Sequence, residues 1–386
     1  MGAARVIING RFLQQRVTGV QRFAHEMLFA LDELMDADDA RPPCEVLVVA
    51  PRGARPVALR RIPVRHVGPL SGHAWEQCTL PAVAGSSPIV SFGPTGPVAK
   101  RNQVVTIHDA AVWAVPESYG MAFRTWYRLL VPVLVRRARS LVTVSQFSKQ
   151  ELLRRLGVQD ERVAVSGEGW QHMARLAADR TILDKHGLKP NSYFLAVSSL
   201  APHKNLGVIA RALSLLRDES NIRLVLAGEV DERLFAGVDL PDSSAIRRLG
   251  YVTDAELRAL YETAAAFVFP SFYEGYGLPP LEAMAVDCPV IASNAGAIAE
   301  VCGDAPLYFD PQDATALAEL MRRVTTNPGE REQMVRRGRN TLRRHSWQNA
   351  ALTYLAIIRE LARAGGHPDT CPQLRVPGQS TGIRGV

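Results

Sequence analysis

The chain has 386 residues, of which 47% are hydrophobic and 22% charged, and it carries a formal net charge of +7. That composition excludes a disordered, collagenous or membrane-embedded chain, and the length suits two domains rather than one. Five cysteines, odd in number and scattered without a Cys-x-x-Cys pair, point to a reducing compartment and away from structural zinc.

In chain order, Arg5–Asn9 (RVIIN) reads as a buried strand. Polar residues follow at once, so no secretory leader is expected, and no later stretch reaches the ~20 apolar residues of a membrane span. The expected location is cytoplasmic, or on a membrane surface. Thr18 suits the N-cap of a helix in which Val20, Phe23, Met27, Leu31 and Leu34 recur at helical spacing. Strands are predicted at Glu45–Ala50, Ile62–Val67, Ile89–Phe92, Val104–Ile107, Leu141–Val144 and Val163–Val165. Helices fit Met121–Arg137 and Phe147–Leu156, the latter capped by Ser145 or Ser148. A second series of short apolar strands follows: Tyr193–Val197, Arg223–Ala227, Ile246–Leu249, Ala266–Phe269 and Val290–Ala292. Strand–helix alternation of this kind predicts α/β architecture with a parallel sheet in each of two Rossmann-like, doubly wound domains. The domains are expected to span 1–170 and 171–345. A final amphipathic helix at 346–364 carries Leu352, Leu355, Ile358 and Leu361, and the tail 365–386 is expected to be disordered.

Charge is unevenly placed. Up to Trp170 there are 21 basic and 14 acidic residues, whereas the remainder holds 24 of each. An anionic partner is therefore expected for the first half alone, either lipid headgroups or a phosphorylated acceptor. Arg124, Arg128, Arg136, Arg137 and Arg139 share a segment with Phe123, Trp126, Tyr127 and Leu130. That mixture fits a helix at an anionic membrane surface, or an ordinary amphipathic helix with a basic face. Nucleic acid is not expected as a partner, because no recognition motif accompanies the basic residues.

The chemistry concentrates in Pro270–Val290, PSFYEGYGLPPLEAMAVDCPV. A strand ends in a loop with two glycines and an acid, and a helix opens at Leu278–Pro279, where proline fits the first turn. Free amides at such a helix start favour an anion, and Gly275 and Gly277 allow close approach of backbone to a ligand. The bland alternative is an acidic loop followed by a surface glutamate. A second strand–loop–helix unit, AVSSLAPHKN (Ala196–Asn205), places Lys204 where a cation can meet a leaving diphosphate, or where it is merely solvated. A third strand end carries His108 and Asp109 in VVTIHDAAVW. Near the N-terminus Thr18-Gly19 lies in a glycine-bearing loop.

EGYGLPPLE resembles the signature of the retaining, GT-B-fold glycosyltransferases of family four, also called group 1. The first-domain pattern ING-R-F…TGVQRF…TIHD is similar to bacterial mannosyltransferases of surface-polysaccharide assembly. The resemblance implies two domains facing a cleft, with the final helix packed back on the first. Glu274 would bind hydroxyls of the donor sugar and Glu282 the nucleotide ribose, while the amides of Tyr276, Gly277 and Leu278, beside Gly275, would face donor oxygens. Lys204 would neutralise the diphosphate, and His108 would act near the transferred sugar. Asp109 would lie on the acceptor side and Gly19 across from the diphosphate. Many members carry arginine where this chain has Ser199, so His203 or an arginine elsewhere is expected to replace that second cation.

The implied reaction moves a hexose, best matched by mannose from GDP-mannose, to a glycan or polyprenyl-diphosphate-linked acceptor in polysaccharide or lipopolysaccharide synthesis, without a metal or other cofactor. Asp36-Ala37-Asp38 has the D-x-D pattern of metal-dependent transferases but reads as a solvated helix end. A non-catalytic sugar-nucleotide-binding subunit and a GT-B sugar-nucleotide epimerase remain as alternatives.

Overall fold

The structure, a computed structural model, describes residues 4–37, 42–199, 201–217, 219, 222–228 and 246–363. The expected disordered tail, Leu200 of the lysine loop and Asp38 of the D-x-D lie outside them. The chain divides into two compact units. One comprises residues 1–110, 125–167 and 347–386, and the other comprises 111–124 and 168–346.

The first unit is built on seven strands: β1 (Arg5–Asn9), β2 (Glu45–Pro51), β3 (Val64–Val67), β4 (Ile89–Ser91), β5 (Gln103–Thr106), β6 (Ser140–Thr143) and β7 (Val163–Val165). All pair in parallel, in the order β3-β2-β1-β4-β5-β6-β7. Inner strands are apolar at successive positions, Val46 to Ala50 being buried throughout, because a parallel sheet covered on both faces needs no polar alternation. Helix Gly19–Asp36 begins where predicted, but Thr18 makes no side-chain cap to the helix backbone; its hydroxyl bonds the side chain of Gln21 instead.

The final helix, Trp347–Arg363, belongs to this unit. Its Trp347 and Tyr354 rings pack edge-on against Phe23, at 5.9 and 6.3 Å. Tyr354 Oη lies 2.6 Å from Thr106 Oγ1 at the end of β5. Leu355, Ile358 and Leu361 are buried as the spacing predicts, whereas Leu352 is 46% exposed.

The predicted helix Met121–Arg137 forms with Pro132 inside it. Its basic face is smaller than expected. Arg139, just beyond it, is buried, and Arg137 donates to the carbonyls of Val98 (2.9 Å) and Ala99 (3.5 Å). Met121 and Leu129 stand 77% and 67% exposed, with Arg128 and Arg136 also exposed.

Six strands form the second unit's sheet: β8 (Phe194–Ser198), β9 (Leu224–Gly228), β10 (Ile246–Gly250), β11 (Ala266–Phe269), β12 (Val290–Ser293) and β13 (Leu307–Phe309). They too are parallel, in the order β10-β9-β8-β11-β12-β13. The edge strand β13 was not predicted. Leu206, Ile209 and Leu213 of helix Leu206–Leu215 pack with Leu226, Val268 and Leu317 in the core.

Candidate active site

In the second sheet β8 and β11 are neighbours, and strand order runs outward from them in opposite directions. Loops leaving the carboxyl ends of two such strands diverge, and the crevice between them is the usual ligand site of an open α/β sheet. The β8 exit leads to a short turn, Pro202–Lys204, closed by Asn205 in the left-handed region (φ 54°). Asn205 tolerates this conformation better than most residues, and its amide donates to the carbonyls of Pro270 (3.0 Å) and Pro311 (2.7 Å). The Phe272 N–H donates to the His203 carbonyl at 2.8 Å. The β8 and β11 loops are thus stapled together, and Lys204 Nζ lies 2.7 Å from Glu274 Oε1. The same ammonium sits 5.7 Å from the Phe269 ring centre.

Glu274 is held from its other side by Gly296, whose φ is +63°. A β-carbon on Gly296 would stand 2.7 Å from the Glu274 carbonyl oxygen and 2.8 Å from its nitrogen, so only glycine fits. Ala297 N–H donates to the Glu274 carbonyl at 3.1 Å. Past buried Gly275, Gly277 (φ 105°) opens helix Leu278–Met284, whose first turn holds two prolines. Among the described residues, the amides of Tyr276, Gly277 and Leu278 meet no backbone acceptor. The Tyr276 side chain is an anchor: its Oη lies 3.0 Å from the Glu168 carbonyl and 2.8 Å from His345 Nδ1.

Glu282, on that helix, pairs through Oε1 with His172 Nε2 at 2.9 Å. His172 is buried in a short helix, Gln171–Arg175. It was missed in the sequence, where 110 residues separate the two and no motif marks the histidine. Ser199 is exposed just after β8. His203 is half-buried in the same turn as Lys204. Burial, and then the charge of Lys204, lower its pKa from 6.5 to about 4, so it is neutral near pH 7 and can offer a hydrogen bond but no charge.

In the first unit Gly19 starts its helix, and a β-carbon there would meet open space. His108 follows β5 with its ring set edge-on against Phe23 at 4.7 Å. Both ring nitrogens are shielded from solvent and lack a partner; burial lowers the pKa to about 4. Asp109 is half-buried beside it. The structure therefore gathers Lys204, Glu274 and His203 in the second unit with Glu282 on the adjoining helix, and it sets Gly19, His108 and Asp109 in the first. Among the described residues no three His, Cys, Asp or Glu side chains gather as a metal site, and no helix is long and apolar enough to cross a membrane.

Two parallel-sheet units of this kind define the GT-B fold. Sucrose-phosphate synthase from Thermosynechococcus elongatus superposes with a TM-score of 0.71 over 94% of this chain and all of that one, at 17% identity. Residues 179–341, which hold the Lys204–Glu274 pair and Glu282, match the model of the glycosyl transferases group 1. An Escherichia coli O-antigen chain mannosyltransferase B is 32% identical over 255 residues, covering 64% of this chain and 67% of the relative. O-antigen chain mannosyltransferase RfbU of Salmonella typhimurium is 29% identical over 252 residues, with the same coverage. The chain belongs to the group 1 glycosyltransferases.

Proposed function

We propose that this glycosyltransferase moves mannose from GDP-mannose to a glycan or polyprenyl-diphosphate-linked acceptor during surface-polysaccharide assembly, with retention of anomeric configuration. The observation that carries the reading is the Lys204–Glu274 pair at the switch point of the second sheet. The choice of mannose is supported by the two relatives named mannosyltransferases.

A diphosphate arriving at the Lys204 loop competes with Glu274 for the ammonium, because a phosphate oxygen is as good a partner as a carboxylate. Glu274 is then released to accept from sugar hydroxyls, and Glu282, oriented by His172, accepts from the ribose diol. As the bond from the anomeric carbon to the phosphate oxygen breaks, negative charge builds on the diphosphate. Lys204 and the free amides of Tyr276, Gly277 and Leu278 meet that charge, with no metal required. The acceptor oxygen bonds to the same face of the anomeric carbon, and its proton passes to the leaving phosphate oxygen. His108, which burial keeps neutral near pH 7, is proposed as a further sugar-binding residue on the strength of the family resemblance alone. The chain is further proposed to work in the cytoplasm at the inner membrane face, with Met121 and Leu129 exposed beside Arg128 and Arg136 as the contact.

The test is transfer from GDP-mannose labelled with 13C at the anomeric carbon to a lipid-linked saccharide extract, read by NMR with EDTA present. An α-mannosyl product formed from the α-configured donor is expected. A β-product, or interconversion of the free nucleotide sugar without transfer, contradicts the proposal.

A further inference from the structure

The first sheet has a switch point of its own, between β1 and β4, and a polar cluster is built over it. Asn9 ends β1, and Thr95 follows β4. Between these strand ends sits Glu76, fully buried on a π-helical turn, Trp75–Thr79. Its Oε1 accepts from Asn9 Nδ2 (2.8 Å), Arg11 Nε (3.1 Å) and Thr95 Oγ1 (3.0 Å). His73 Nδ1 lies 3.3 Å from Oε2, and Arg11 also donates to Thr95 Oγ1 at 2.8 Å. Burial alone would raise the carboxyl's pKa, yet His73, Arg11, Asn9 and Thr95 together outweigh it and hold the group ionised.

Burying a charge this way adds little stability over a well-packed apolar core, and π-turns are frequent at functional sites. What the cluster does achieve is to hold His73 at the carboxyl end of the sheet, with the Trp126 ring beside it. The His73 side chain is 38% exposed, and among the described residues its Nε2 has no hydrogen-bond partner. The indole of Trp126 lies 5.2 Å from the His73 ring and is 40% exposed. The charge of Arg11 is matched by Glu76, so the place offers donors and an aromatic plate without net positive charge. That chemistry suits a neutral polyol with an apolar face better than a phosphate.

We infer that His73, positioned by Glu76, and Trp126 beside it form a subsite that seats a pyranose ring of the acceptor, the ring stacking on Trp126 and a hydroxyl bonding His73. The inference rests on the transferase reading above, which calls for an acceptor sugar. Glu76 is a positioning residue and touches no substrate.

Saturation-transfer-difference NMR on the full chain tests it, with methyl α-mannopyranoside, methyl α-glucopyranoside and methyl N-acetyl-α-glucosaminide as probes. At least one glycoside should receive saturation from the wild-type protein. Its signal should fall at least fivefold in His73→Ala and in Trp126→Ala, and persist in Leu129→Ala, a change at an exposed position on the same helix as Trp126. Trp126 is exposed and His73 half-buried, and the melting temperature of each variant without ligand reports whether its fold survives. The melting-temperature rise with GDP, measured in parallel, should match wild type in both. No saturation of any probe, or undiminished transfer in both variants, overturns the subsite. A wild-type protein that binds the glycosides as expected but is not stabilised by any nucleotide supports the subsite and counts against the donor reading alone.

Discussion

Lys204 and Glu274 are partly exposed, at 25% and 13% of their side chains, so their mutual attraction contributes about 1 kcal/mol at most to stability. Losing a hydrogen bond between an ammonium and a bound diphosphate costs roughly 1.5–3 kcal/mol, which is ~10–100-fold in affinity. The pair is therefore worth more to ligand binding than to folding. The two histidines bear on stability instead. His108 and His203 both titrate near 4 in the folded chain, against an ordinary 6.5. As pH falls below 6.5 the unfolded chain takes up protons that the folded chain refuses, so stability is fully present above that value and drains away toward pH 4. A melting-temperature profile across that window should slope downward with acid and be flatter in His203→Asn. A variant profile parallel to wild type would show that His203 titrates normally in the fold.

At the scale of elements, the site depends on how two loops are joined. Asn205→Ala removes both anchors to the β11 side and puts a poor residue at a left-handed position, for a combined cost of about 2–4 kcal/mol. Asn205→Gly restores the backbone freedom but not the anchors. Glycine should therefore recover part of the stability in thermal denaturation, while GDP affinity stays reduced in both variants. Equal GDP affinity in the glycine variant and the wild type would mean that the staple does not position Lys204.

The strands and loops of the site were legible because each is local. A short apolar run followed by EGYGLPPLE or by APHKN needs no distant information to be read as strand, loop and helix. The Glu282–His172 pair and the Gly296 cradle were not legible, since both arise from chain folding back across the unit and leave no period or spacing. Arg137 and Arg139 counted as surface charge in the sequence, but the folded chain turns one to backbone carbonyls and buries the other. Leu352 has helical spacing yet faces solvent, because the apolar stripe of that helix is wider than the surface it covers.

For the whole molecule, the two sheets carry the same device, a switch point with a polar cluster at its strand ends: Lys204 with Glu274 in one unit, and Arg11, Glu76 and His73 in the other. Contact with anionic lipid belongs to this scale as well. The protein should sediment with phosphatidylglycerol vesicles at low salt, and less so as Met121→Ser/Leu129→Ser. Sedimentation that the double variant leaves unchanged would remove this surface from the account.

On the function proposed here, the second unit binds a nucleotide diphosphate sugar through Lys204 and Glu282. The most direct measurement is thermal denaturation with GDP, UDP, ADP and dTDP and their sugars, since a ligand that binds only the folded state raises the melting temperature according to its concentration over its dissociation constant. We expect a rise with GDP and GDP-mannose that is lost in Lys204→Ala and Glu282→Ala while each variant remains folded without ligand. No rise with any nucleotide, or one that both variants retain, would contradict it.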